Sequence, residues 1–192
     1  MTRGSGICYD GKKGGSAVED RDYMEQALEL ARQAGAQGEV PIGCVIVCDG
    51  KVVGRGMNHR ETGKTALGHA EIQAIRQACE TLGGWRLWQC TLYVTLEPCP
   101  MCAGAIVNAR IPRVVYGAKD PKGGACGSIC DLFSMGFNHK PKVEQGLMEQ
   151  ECQQLLTEFF QKLRKELKTR PKWNKSGPAM PGDNAHDRLR KS

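Results

Sequence analysis

Two short stretches constrain this chain more than any other part of it. His69-Ala70-Glu71 opens a run with helical spacing, in which Ile72, Ile75, Cys79 and Leu82 recur on one face until Gly83-Gly84 stops it. Further on, Pro98-Cys99-Pro100-Met101-Cys102 opens a second helix that runs to Ala109, directly after the β-branched, aromatic strand CTLYVTLE. An imidazole and two thiols, His69, Cys99 and Cys102, make three of the four donors of a tetrahedral zinc. A purely structural zinc site fills all four positions, so a three-donor set with room for water points to catalysis.

Each residue type in the pattern has a chemical reason. A helix N-terminus favours the thiolate form of a cysteine. A bound zinc lowers the pKa of water from about 15.7 to about 7, a shift of roughly 12 kcal/mol. Glu71, two residues after the histidine, is placed to take the proton and pass it to a ring nitrogen and to departing ammonia. The order H-x-E followed by P-C-x-x-C is the signature of zinc-dependent deaminases. The competing reading is a core histidine, a solvated glutamate and a coincidental C-x-x-C.

The rest of the chain supplies a frame for this pair. At 192 residues it has room for one well-cored domain with tails, and no apolar run reaches the length of a membrane span. The N-terminus lacks an apolar h-region, so the expected location is the cytoplasm. Of the ten cysteines, Cys44, Cys48, Cys79 and Cys152 lie in apolar strand or helix patterns and read as small core residues rather than disulfide partners. The formal charge of +6 is uneven: from Lys162 onward ten basic residues face three acidic ones, which suits either a polyanionic partner or a solubilising tail.

Along the chain, residues 1–19 read as a disordered extension, 20–168 as the folded domain and 169–192 as a basic, disordered tail. A helix is predicted from Asp20, with Met24, Ala27, Leu28 and Ala31 on one face. Asp49-Gly50 marks a hairpin turn between two Val/Ile-rich strands, and RVVYGA is a further strand. The glycine-rich stretch Gly123 to Gly127 leads to a short helix. A last long helix carries Cys152, Leu155, Leu156, Phe159, Phe160, Leu163 and Leu167 on one stripe. This order implies a three-layer α/β/α sandwich with a mixed central sheet.

Over about residues 20–168 the chain resembles the bacterial tRNA-specific adenosine deaminases, the TadA family of the cytidine deaminase-like superfamily. The resemblance rests on EVPIGCVIV, GRGMN, GHAEIQAIR, TLYVTLEPCPMCAGAIVNARIPRVVYGAKDPKGGACGS and FNHK. It implies deamination of adenosine to inosine at the tRNA wobble position, in an arginine tRNA with an ACG anticodon, by a homodimer holding one zinc per subunit. His69, Cys99 and Cys102 match the zinc ligands and Glu71 the proton shuttle. Asn58 matches an asparagine that hydrogen-bonds the flipped base, and the Ala70 N–H also meets the base. Asp120 matches an aspartate near the ribose, although Asp-Pro is equally a plain turn initiator. Lys119, Lys122, His139 and Lys140 are candidate phosphate contacts or solvated charges. Phe159 and Phe160 suit core packing, or base stacking. The alternative activity is a small-molecule deaminase acting on guanine, cytosine or cytidine; a silent, zinc-bearing RNA-binding subunit would not need Glu71.

Overall fold

The computed structural model describes residues 17–169. The chain divides into two units, Met1–Phe160 and Gln161–Ser192. The expected disordered extension and tail lie outside the described residues, except that 17–19 already form the first turn of a helix. That helix, α1 (Ala17–Ala36), begins three residues before the predicted Asp20. Glu19 and Asp20 fall in its first turn, where carboxylates stabilise the positive end of a helix.

The first unit continues as a strand β1 (Gly43–Cys48), a strand β2 (Lys51–Met57) and a helix α2 (Ala70–Leu82). Then come β3 (Cys90–Leu96), α3 (Pro100–Ala109), β4 (Arg113–Ala118), a 3-10 turn at Leu132–Ser134, β5 (Lys142–Gln145) and α4 (Glu149–Thr169). The strands form one sheet in the order β2-β1-β3-β4-β5. β1 is antiparallel to both of its neighbours, while β3, β4 and β5 are parallel. Asp49 and Gly50 join β1 to β2 with φ values of 48° and 72°, the left-handed pair that a tight primed turn demands.

Strand residues alternate between two cores. Cys44, Ile46, Leu92, Val94, Val114 and Tyr116 face α2 and α3, whereas Val45, Val47, Tyr93 and Val115 face α1 and the start of α4. The sheet is therefore the middle layer of an α/β/α sandwich. Among the described residues no helix is long and apolar enough to cross a membrane, and all nine described cysteines are free.

Three expectations need correction. β5 was not predicted: it is four residues long, polar, and buries little at the sheet edge. The fully buried face of α2 is Ala70, Glu71, Ala74 and Ala78; of the expected stripe Ile75 and Cys79 pack half-buried on the same core, whereas Leu82 is exposed. On α4, Cys152 is buried and Leu155 and Leu156 pack on the second core. Phe159 and Phe160 join neither core; they meet each other edge-to-face, centroids 5.4 Å apart, and Leu163 and Leu167 belong to the second unit.

The small face of α2 lets it sit directly on β2. A Cβ added to Gly54 would fall 2.2 Å from the Ala74 carbonyl oxygen, and one on Gly56 2.0 Å from that of Ala70. Gly56→Ala should therefore push the start of α2 off the sheet and cost about 3 kcal/mol or more, read as a lowered denaturant midpoint.

At the other core a buried guanidinium ties the layers together. Arg113 on β4 pairs with Asp20 of α1 at 2.7 Å and Glu144 of β5 at 2.8 Å, and the Tyr93 hydroxyl also donates to Asp20. Arg113 holds both carboxyls below their usual range, Glu144 at about 2 with help from Lys142. Such depressed values give stability that is complete above the ordinary carboxylate pKa, about 4, and is lost as pH falls toward about 2. The melting temperature should drop across that window. Arg113→Met should cost about 3 kcal/mol at neutral pH and flatten the acid limb.

Candidate active site

Strand direction decides where the functional residues gather. β2, β3 and β4 point the same way, and the pairings Gly43–Met57, Cys44–Val94 and Leu96–Ala118 align their C-terminal ends on one edge. The segments leaving that edge carry Asn58 after β2, Glu97 and Cys99 after β3, and Asp120 after β4. α2 and α3 also begin there, with His69 and Cys99 as their N-cap residues in extended backbone. Neither side chain serves as the cap of its helix, and the imidazole and the thiol turn toward each other instead.

They do so. His69 Nδ1 lies 3.6 Å from Cys99 Sγ and 3.5 Å from Cys102 Sγ, and the three donor atoms lie within 4.8 Å of one another. Ligand bonds of about 2.3 Å to sulfur and about 2.05 Å to nitrogen, opened at a tetrahedral angle, leave the two atoms about 3.6 Å apart. The donor chemistry and the spacing thus both fit a tetrahedral metal with three protein ligands. A hydrogen bond from the Cys102 thiol, with one from His69, holds Cys99 as a thiolate with a pKa of about 4, while the same bond and burial push Cys102 up. Cys102 is buried, while His69 and Cys99 are half-buried on the open side of the cluster.

Glu71 faces the same cluster from the first turn of α2 and is only 4% exposed. Burial raises its pKa, and the negative charge on Cys99 adds to this against its own backbone N–H. A carboxylate with raised proton affinity beside an acidified donor is suited to moving protons at neutral pH. His69, Glu71, Cys99 and Cys102 are therefore brought together as the sequence pattern predicted.

Asn58 is buried at the edge of this site, its N–H bonded to the Ile42 carbonyl at 3.0 Å. Ala70, the first residue of α2, is also buried. Asp120 lies beyond β4 and acts as a turn residue: its Oδ1 accepts the N–H groups of Lys122 and Gly123 at 3.0 and 3.1 Å. Lys119, Lys122 and Lys140 are exposed, whereas a ring nitrogen of His139 is tied to the Ile111 carbonyl at 2.7 Å.

Two buried carboxylates escaped the sequence reading. Glu97 accepts the N–H groups of Asp120, Cys126 and Ser128 at 3.0, 2.9 and 3.1 Å, and the Ser128 hydroxyl as well. Gly124 packs on it so closely that a Cβ there would lie 2.3 Å from the carboxyl carbon. Glu39, before β1, takes the Thr62 N–H and hydroxyl at 2.7 and 2.8 Å. Their signal was the bare acidic residue in EVPIG and in LEPC, each beside a motif but outside any periodicity. Replacing His69, Cys99 or Cys102 by alanine should abolish metal retention, measured by metal analysis of purified protein, while circular dichroism stays that of the parent.

Comparison with known proteins agrees with this geometry. Residues 18–164 match the model of the MafB19-like deaminase family. The tRNA-specific adenosine deaminase of Bacillus subtilis is 49% identical over 152 residues, spanning 79% of this chain and 94% of that protein. Its counterpart in Agrobacterium fabrum is 50% identical over 148 residues, 77% of this chain and 97% of that one. Among solved structures, a tRNA:A34 deaminase described as editing A to I at the wobble position of transfer RNA aligns with a TM-score of 0.69. It is 51% identical and covers 70% of this chain and 99% of its own. NE0047 in complex with 8-azaguanine, at 23% identity and a TM-score of 0.60, shares the fold. The chain is a deaminase and belongs to the tRNA-specific adenosine deaminase family, built on the cytidine deaminase-like fold.

Proposed function

We propose that the chain hydrolyses adenosine to inosine at wobble position 34 of tRNA, with an arginine tRNA bearing an ACG anticodon as substrate. The observation that carries this reading is a three-donor cluster of metal-ligand dimensions with a buried glutamate against it, in a chain of this family. His69, Cys99 and Cys102 hold one zinc per subunit. When bound, zinc supplies an acidified water, its pKa lowered to about 7.

The chain's own residues do the rest. Glu71 accepts a proton at its carboxylate from the attacking water and returns protons to the purine ring nitrogen and to the departing ammonia. Asn58 and the Ala70 N–H hold the flipped base against the cluster. Asp120, whose Oδ1 is occupied by its own turn, offers Oδ2 to the ribose 2′-OH, a contact that separates RNA from DNA. Exposed Lys119, Lys122 and Lys140 meet phosphates of the anticodon stem-loop. The enzyme works as a cytoplasmic homodimer.

The test offers purified protein an unmodified arginine tRNA with an ACG anticodon, the same tRNA with cytosine at the wobble position, and free adenosine, cytidine and guanine. Inosine should form only at the wobble adenine. Glu71→Ala should keep zinc and RNA binding while turnover falls by at least about 10²-fold. Ammonia from a free base or nucleoside, with the tRNA untouched, would sink the tRNA assignment and leave a small-molecule deaminase.

A further inference from the structure

Glu39 is a fully buried carboxylate with no part in proton transfer, which raises the question of what it holds. Its oxygens divide their work. Oε1 receives the Thr62 N–H at 2.7 Å and the Thr62 hydroxyl at 2.8 Å, and Oε2 receives the Asn58 side-chain Nδ2 at 3.4 Å. We propose that Glu39 is a positioning and specificity-determining residue that locks the Asn58 amide in the one orientation able to read adenine. The inference rests on the reading of Asn58 as the base contact.

The lock follows from donor and acceptor counts. An ionised carboxylate only accepts, so the amide facing it must present NH2. Burial alone would raise the pKa of Glu39, but the Thr62 donors and the loop N–H groups of Glu61 and Arg60 outweigh it, and the group stays ionised. Turning the amide over would set Asn58 Oδ1 against Glu39 Oε2, two acceptors in a buried place. The Asn58 N–H bond to Ile42 fixes the backbone, so the residue cannot swing away instead.

What remains of Asn58 faces outward. Among the described residues no donor reaches its Oδ1, and no fully buried side-chain polar atom lacks a partner. Oδ1 therefore keeps access to the exterior. With one N–H given to Glu39, the amide retains a second N–H and a free oxygen. These are the donor and acceptor that pair with adenine N7 and N6. A reversed amide would oppose acceptor to acceptor at N7 and donor to donor at N6. The same carboxylate also ties down Thr62, in the segment that follows Asn58, so Asn58 and that segment share one anchor.

The experiment is a thermodynamic cycle on the zinc-loaded, full-length protein carrying Glu71→Ala, so that binding is read without turnover. Dissociation constants are measured for an anticodon stem-loop RNA with adenosine or 7-deazaadenosine at the edited position. The parent should bind the 7-deaza RNA about 2- to 12-fold more weakly, the worth of one hydrogen bond. Glu39→Gln can donate as well as accept, so it should weaken the adenosine RNA by a similar factor or more, and the 7-deaza RNA clearly less, because only the N6 contact is left there to lose. Glu39→Asp keeps the acceptor but withdraws it by one methylene, and carries the same comparison should Glu39→Gln not fold. Equal weakening of both RNAs, or of neither, overturns the inference while leaving the Asn58 reading intact. No 7-deaza penalty on the parent, with Asn58→Ala also silent, overturns the base-contact reading and the inference with it.

Discussion

The site depends on how closely α2 approaches the sheet. His69 must stand about 3.5 Å from two sulfurs carried by another helix, a tolerance that a side chain's width would destroy. The chain meets it by removing side chains from the contact. Gly54 and Gly56 face Ala70, Ala74 and Ala78, and the helix backbone rests on the strand backbone. This packing gives up apolar area that larger residues would bury, at about 25 cal/mol per Å². The gain is a helix start whose height above the sheet is set by backbone contact alone. α1 uses the same device at Gly43, where a Cβ would fall 2.0 Å from the Ala27 carbonyl oxygen.

A second constraint is electrostatic. Two helix N-termini and two thiols converge at one edge, with a carboxylate buried among them. Helix dipoles favour negative charge at their N-termini, which suits the Cys99 thiolate at the start of α3. Glu71 pays no such benefit back, since burial and the Cys99 charge both disfavour its ionised form. The cluster thus keeps one acidic group ionised and a neighbouring one ready to hold a proton.

How much of this was legible in the sequence varies with the kind of signal. The hairpin, β4, the helix starts and the four cluster residues were readable because each has a local chemical signature: Asp-Gly, a β-branched run, H-x-E, P-C-x-x-C. The buried face of α2 was misread because periodicity weighs large apolar residues. Here Ile72 and Ile75 are only half-buried while alanines take the core. β5 was missed because Lys142-Val143-Glu144-Gln145 has no apolar pattern. Its place comes from parallel pairing with β4 and the Glu144–Arg113 ion pair, both long-range. Glu39 and Glu97 were invisible for a related reason. A buried carboxylate is justified by donors that arrive from 19 to 31 residues away, and no short window along the chain contains them.

Those two glutamates separate the holding of the loops from the building of the cluster. The geometry of His69, Cys99 and Cys102 is made by helix starts resting on the sheet rather than by the loops after β2 and β4. The loops after β2 and β4 are held separately, each by one carboxylate saturated with N–H and O–H donors. Loop sequence can therefore change, provided it still offers donors to its anchor, without disturbing the cluster. A chain of only 23% identity, NE0047, shares the same sandwich. In this arrangement the cluster is positioned by the scaffold and each loop by its own anchor, so a loop can change in sequence without a change of fold.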